Sequence, residues 1–217
     1  MTPRIRSVNL GRAAPVPGLD DLSAIAKSAV ATVAVRDPGP RGTGLGSGVA
    51  GDDICDRRHH GGERQAVYAV AAEELQWWAD TLGRPLAPGT FGENLTTEGL
   101  DVDAALVGER WRVGSDVVLE VTGPRIPCAT FAAHMGERGW VKRFSARGRT
   151  GAYLRVLAPG GISAGDPVRV EDRPDHDIDV PTLFRALMGD VVAARRVLDH
   201  EVAGEHDAER LRRLVAR

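Results

Sequence analysis

Lysine is nearly missing from this chain: of its 28 basic residues only Lys27 and Lys142 are lysines, a skew that follows genome base composition and carries no functional weight alone. Cysteine is equally scarce. Cys55 and Cys128 are too few for a disulfide framework and fit a reducing compartment. No stretch approaches the roughly 20 apolar residues of a membrane span. Nothing behind Arg4 and Arg6 in the segment from Met1 to Asn9 is long enough for a signal-peptide core. These absences predict a cytoplasmic protein without membrane contact. A formal charge of −2, with no stripe of basic and aromatic residues, argues against a nucleic-acid partner. What is present, 42% hydrophobic and 27% charged residues over 217 positions, is the composition of a globular protein with room for one main domain and an appendage.

The run Ser28–Val35 is β-rich and ends where Asp37-Pro38-Gly39-Pro40, followed by Gly42, Gly44, Gly46 and Gly48, cannot continue a regular element. From Gln65 to Leu82 the positions Val67, Val70, Ala71, Leu75, Trp78 and Leu82 recur at three and four, which predicts an amphipathic helix closed by Gly83 and Pro85. Trp111 and Val113, then Val117, Leu119 and Val121, alternate across Gly114-Ser115-Asp116 as a hairpin does. Tyr153–Leu157 and Val168–Glu171 suggest a second hairpin through Pro159-Gly160-Gly161. Short strands between Gly- and Pro-rich turns point to a barrel or sandwich. After Pro174 the apolar spacing from Leu183 to Leu214 predicts two or three short helices broken near Gly189 and Gly204. The chain is therefore divided into residues 1–175, mainly β, and a helical extension over residues 176–217, separable in function from any cleft.

Three polar constellations carry potential chemistry. The glycines from Gly42 to Gly48 are a flexible turn, since neither a phosphate-loop Lys-Ser/Thr pair nor a βαβ unit accompanies them. Gly51 through Gly62 gathers Asp52, Cys55, Arg57, His59, His60 and a Gly-Gly backbone, residues that also fit a solvated loop with local hydrogen bonds. Phe91-Gly92-Glu93-Asn94-Leu95-Thr96-Thr97 reads equally as a capped turn. In Pro124-Arg125-Ile126-Pro127-Cys128 two prolines stiffen the approach to a cysteine whose thiolate Arg125 would favour, although a buried space-filling cysteine remains an alternative.

Taken in order, Gly51-Asp52 to His60-Gly61-Gly62 with Gln65-Ala66-Val67-Tyr68, then Phe91 to Leu100, then Pro124 to Cys128, resemble the MOSC domain superfamily, in its stand-alone YiiM-like branch. Gly151 to Val156 and Gly165-Asp166 extend the likeness to about residue 172, and Lys27 matches one position of the family's early Gly-Ile-x-Lys-x-Pro run. The resemblance implies a mainly β fold, a pyruvate-kinase-type β-barrel with flanking helices, that binds molybdenum cofactor (Mo-molybdopterin) in a cleft with Cys128 as the metal's protein ligand. It places the His-Gly-Gly and Gly-Glu-Asn-Leu segments near that cleft. It further implies reduction of N-hydroxylated compounds such as hydroxylamino-purines and amidoximes, with electrons from a separate reductase.

On that reading His60, Glu93 and Asn94 orient substrate, while Lys27, Arg57, Gly61, Gly62, Arg125 and Lys142 are the candidates for the cofactor's phosphate. His60 and the Glu93-Asn94 pair are then expected to converge on one cleft into which Cys128 opens, with Cys55 dispensable. One rival is a non-catalytic cofactor carrier. Another is a zinc hydrolase using Cys55, His59 or His60, and Cys128. The oligomeric state stays open, with room for an oligomer.

Overall fold

The computed structural model describes residues 2–217. Among these, twelve strands form in chain order: β1 (Arg4–Gly11), β2 (Ala14–Pro15), β3 (Leu22–Ser23), β4 (Lys27–Val30), β5 (Thr32–Val35), β6 (Val67–Ala71), β7 (Leu95–Glu98), β8 (Arg110–Val113), β9 (Val117–Pro124), β10 (Ala152–Ala158), β11 (Gly160–Ser163) and β12 (Val168–Asp172). Six α-helices accompany them: α1 (Ala72–Leu82), α2 (Ala129–Met135), α3 (Trp140–Arg147), α4 (Val180–Leu187), α5 (Val191–Asp199) and α6 (Glu205–Val215).

Eight strands make one curled sheet in the order β12-β8-β9-β10-β6-β7-β1-β4, and β11 pairs with β5 beside it. The sheet is mixed, since β6 and β7 run parallel while the other neighbours are antiparallel. The closed barrel expected from the sequence is not what forms. The ladder stays open, and the turn before its β12 end is tied to the start of β1 by an isolated bridge from Arg4 to Pro167 and by backbone bonds from Ile5 N to Asp166 O and from Gly165 N to Ile5 O, both 2.8 Å. Pro3 and Pro167 flank this junction and lack the N–H a continuous ladder requires. The register also shifts between Ile5 and Ser7, which bends the strand without pairing it further.

The hairpin of β8 and β9 forms as its alternation dictates, Trp111 facing Leu119 and Val113 facing Val117. Two other expectations fail. The helical period from Gln65 belongs to two elements, because β6 is buried on both faces and so lacks alternation, and only residues from Ala72 onward are helical. Tyr153–Leu157 and Val168–Glu171 do not pair with each other: β10 lies between β9 and β6, β12 pairs with β8, and the intervening glycines are themselves strand β11.

Helices α1, α2 and α3 cover one face of the sheet through aromatic rings. Trp78 meets Trp140 at 4.6 Å between centroids. At 5.1–5.9 Å, Phe91 and Phe131 pack edge-on against Trp140, Phe91, Phe131 and Phe144 pack edge-on against one another, and Phe144 lies tilted against Trp140. Glu74 of α1, buried, receives Arg147 of α3 in a bidentate pair at 2.8 and 2.9 Å and Arg149 at 3.1 Å, which fixes the helices laterally. The C-terminal helices form a separate apolar cluster of Leu183, Leu187, Ala194, Val197 and Leu211, in which Val107 of the sheet domain takes part. Asp179 and Asp190 cap α4 and α5.

Trp78 is 1% exposed at the centre of this cluster, whereas its neighbour Trp77 is 40% exposed and covers Arg147. Trp78→Ala should lower unfolding stability by about 3–5 kcal/mol through lost burial and the cavity left behind. Trp77→Ala should cost less than about 1 kcal/mol. Urea titrations of the two variants check the contrast.

Candidate functional site

A cavity of about 750 Å³ opens where the ends of β1 and β4 meet the loop from Ser47 to Gly61 and the start of α2. Its floor is organised by Asp52. That carboxylate, with a side chain 1% exposed, pairs with the buried Lys27 ammonium and accepts Gly11 N at 2.8 Å, Ser47 Oγ at 2.9 Å and Asn94 Nδ2 at 3.0 Å. Burial pushes the Lys27 pKa down, against the opposing pull of Asp52. Asn94 in turn is clamped between strands: its Oδ1 accepts Tyr68 N at 3.2 Å, its N–H bonds Tyr68 O at 2.8 Å, and its carbonyl accepts Asn9 N at 2.7 Å.

The wall carries the reactive group. Pro124 to Pro127 lead from β9 to Cys128, which stands at the start of α2 and lines the cavity with His60. Burial alone would push the Cys128 thiol up. A hydrogen bond with the His60 side chain, the Arg125 charge and the Phe131 backbone N–H outweigh it and bring the thiol down to about 7. Cys55 also lines the cavity, but burial and the adjacent Asp53 push its thiol up.

Arg125 is the unusual member. Its residue is 7% exposed, its guanidinium lies over Phe131 at 4.4 Å and Tyr68 at 5.2 Å, and Nε is buried without a hydrogen-bond partner. Aromatic faces compensate part of a buried positive charge, but an anion is the partner such a group lacks. Gly92 beside it adopts φ +77°, which favours glycine, and a Cβ there would crowd Ile25 at 3.1 Å. Gln65 Oε1 is a second buried, unpartnered acceptor on the same lining.

Of the residues expected at the site, Cys128, His60, Asn94, Lys27, Gly61 and Arg125 are brought together on this cavity. Four are not. Glu93 is fully buried, its carboxylate consumed by the N–H groups of Gly89 and Phe91 and by Thr96 Oγ1, so it folds the segment before β7 and faces no ligand. Burial raises its pKa against those bonds. Arg57 turns onto the carbonyls of Gly44 and Leu45 at 3.3 Å, Gly62 packs against the Arg41 backbone, and Lys142 is exposed on α3. Sequence reasoning passed over Ser47, Tyr153 and the loop carrying Asp20 and Asp21, which also line the cavity. Tyr153 was marked by its segment, and the loop by nothing. Among the described residues no group of three or more His, Cys, Asp or Glu side chains is assembled to hold a metal ion. The zinc set of Cys55, His59 or His60, and Cys128 is thus not formed, and the His59 ring instead engages Asp56 at 2.8 Å.

Comparison with known proteins shows the family and the fold. Residues 56–169, just over half of the chain, match the MOSC domain family. The chain is 34% identical over 158 residues to the uncharacterized protein YflK of Bacillus subtilis, covering 71% of each, and 30% identical over 130 residues to YiiM of Escherichia coli, covering 58% of this chain and 57% of that protein. A Gibberella moniliformis protein named as a reductase is 34% identical over 131 residues, which is 59% of this chain but 23% of that protein. The crystal structure of YiiM from Geobacillus stearothermophilus superposes with a TM-score of 0.77 at 25% identity over 98% of this chain and 99% of that one. The Escherichia coli YiiM structure gives 0.71 at 21% identity over 100% and 93%, a likeness of fold.

In the cofactor-free protein, iodoacetamide alkylation of Cys128 should follow a thiolate titration with its midpoint at about 7, rising with pH and level above it. Arg125→Met should move that midpoint upward, because it removes a charge that favours the thiolate. Peptide-resolved mass spectrometry separates Cys128 from Cys55, whose thiol is pushed up by burial and Asp53 and should react only at higher pH than Cys128. A single shared midpoint for both thiols would contradict the assigned electrostatics.

Proposed function

Because the chain belongs to the MOSC domain family, we propose that it is an oxidoreductase that uses molybdenum cofactor to reduce N-hydroxylated compounds, with Cys128 as the metal's protein ligand. The observation that carries this reading is the pairing of a low-pKa thiol with an unpartnered buried guanidinium in one cavity. A thiolate is a soft donor suited to a redox-active transition metal. An anionic, sulfur-bearing pterin would supply the further ligands that the protein does not, and a cavity of about 750 Å³ lies in the range of organic-ligand sites. The residues fit the group. Cys128 would hold the metal, Arg125 and the backbone at Gly61 the anionic part, and Gln65 Oε1 would accept from pterin N–H groups.

When bound, the cofactor supplies the two-electron chemistry that removes oxygen from nitrogen, leaving an amine or amidine and water. The chain's own residues position and protonate. His60, beside the Cys128 sulfur, is placed to hold the thiolate and to hand a proton to the departing oxygen. Asn94 is fixed on both faces by backbone bonds and turns its amide to Asp52, so it shapes the floor and is not itself a proton carrier. Tyr68 donates its hydroxyl to Thr150 O at 2.6 Å, which leaves its ring as a rigid wall.

The lining runs from Gly18 to Tyr153, so the cleft falls wholly within residues 1–175 and residues 176–217 lie outside it. The relative named as a reductase accords with redox chemistry. Two free thiols suit the cytoplasm, where a separate reductase would supply the electrons. Among the described residues no helix is long and apolar enough to cross a membrane.

After loading with cofactor, Cys128→Ser should lose N-hydroxyl reduction by at least about 100-fold, since even loss of a supporting partner of a metal ligand costs roughly 10–100-fold. Cys55→Ser should stay within about twofold of the parent, as a cavity thiol that ligates nothing. Turnover absent from a wild-type protein that retains the cofactor would favour the carrier reading. Loss in Cys55→Ser but not in Cys128→Ser would reverse the ligand assignment.

A further inference from the structure

The cavity's charges are sorted by depth. Arg125 and the Lys27–Asp52 pair are buried, whereas Asp20, Asp21 and Asp56 are exposed and Asp53 half-buried, and all of them line the same space. Once Lys27 cancels Asp52, four carboxylates remain on the lining against the single cation Arg125. Their engagement differs. Asp53 accepts Ala13 N at 3.0 Å and faces Arg12 at 3.9 Å, and Asp56 holds the His59 ring. Asp20 and Asp21 make no hydrogen bond or ion pair among the described residues.

Two basic residues of the neighbouring loops are engaged elsewhere. Arg57 is turned onto the Gly44 and Leu45 carbonyls and Arg41 onto Gly61 O, and neither lines the cavity. The loop that carries the two carboxylates is anchored at its backbone and flanks. Their loop joins β2 to β3, is turned by Leu19 N donating to Val16 O at 3.1 Å, and is pinned by buried Val16, Ala24 and Ile25. A cleft with walls of low dielectric concentrates such a field. A solute therefore meets negative charge at the mouth before it meets Arg125.

We propose that the Asp20–Asp21 loop is a charge filter at the cavity mouth, a specificity-determining element that admits neutral and cationic N-hydroxylated compounds, such as free bases, nucleosides and amidines, and rejects those bearing a phosphate. The identity of the substrates rests on the reductase reading; the charge sorting does not. Arg125 supplies the independent sign that the cavity takes a ligand, since its buried Nε has no hydrogen-bond partner among the described residues.

The test works on the protein with or without cofactor chemistry. In Cys55→Ser protein, where Cys128 is the remaining thiol, the rates of labelling by 2-(trimethylammonium)ethyl and 2-sulfonatoethyl methanethiosulfonate are each divided by the rate for free 2-mercaptoethanol at the same pH. Either reagent forms a mixed disulfide on Cys128 and releases methanesulfinate. Adding Asp20→Asn and Asp21→Asn should lower the cation-to-anion ratio about threefold or more, and raising salt from about 0.02 to about 0.5 M should bring the parent toward the variant. Both carboxylates are exposed and unpartnered, so the fold survives their neutralisation. A ratio that the substitutions leave unchanged overturns the filter. With cofactor loaded, kcat/KM for an N-hydroxylated purine nucleoside should exceed that for its 5′-monophosphate by about fivefold or more, and the gap should narrow in the double variant. Equal values in the parent overturn the filter. Absence of turnover with every N-hydroxylated compound overturns the reductase reading, while the labelling ratio still decides the filter.

Discussion

One buried carboxylate holds the site together. Asp52 receives a backbone N–H from the end of β1, the ammonium of the first residue of β4, the hydroxyl of Ser47 and the amide of Asn94, so four chain segments distant in sequence meet on two oxygen atoms. A charge this deep is tolerated because every direction around it is answered, and removing one partner of such a pair typically costs about 3–5 kcal/mol. Asn94 transmits the constraint to Tyr68 and Asn9, and hence to β6 and β1. The floor of the cavity is consequently rigid before any ligand arrives.

Against that satisfied floor, Arg125 stands out as unsatisfied. The same chain that neutralises Lys27 and wraps Glu93 in N–H donors leaves a guanidinium in the wall with only two ring faces for company. A buried charge left open beside a thiol brought down to about 7 is the pairing on which the proposed cofactor site rests. The contrast between the closed network below and the open one beside it separates residues that build the cavity from residues that act in it. Asp52, Asn94 and Glu93 belong to the first group, and on the proposed reading Cys128, Arg125 and His60 belong to the second.

Much of this was legible in the sequence. The β8–β9 hairpin and the breaks at Gly189 and Gly204 follow from alternation and from glycine punctuation. The misreadings have physical causes. A strand buried on both faces, Val67–Ala71, carries no alternation and merges with the helix after it. Helices α2 and α3 were invisible because Gly136, Gly139 and Gly148 cap them within eight residues, leaving too little length for periodicity to register. At the site, Cys128, His60, Lys27 and Arg125 stood in recognisable segments. Glu93 stood in one too, but sequence cannot tell a carboxylate that folds a loop from one that faces a ligand. Arg57 and Lys142 were nominated by charge alone, which does not say where a long side chain points. Asp20 and Asp21, two ordinary surface acids by sequence, gain meaning only from the wall they stand on.

The central claim is that Cys128 and Arg125 hold an anionic molybdenum–pterin group in this cavity. Its most direct measurement is a count of molybdenum and pterin retained per chain after the cofactor-free protein is mixed with isolated cofactor and gel-filtered. The account requires about one of each on the wild type, loss of the metal in Cys128→Ser, and weakened pterin retention in Arg125→Met. Retention of both unchanged in the two variants, or stoichiometric zinc with no pterin on the wild type, would contradict it.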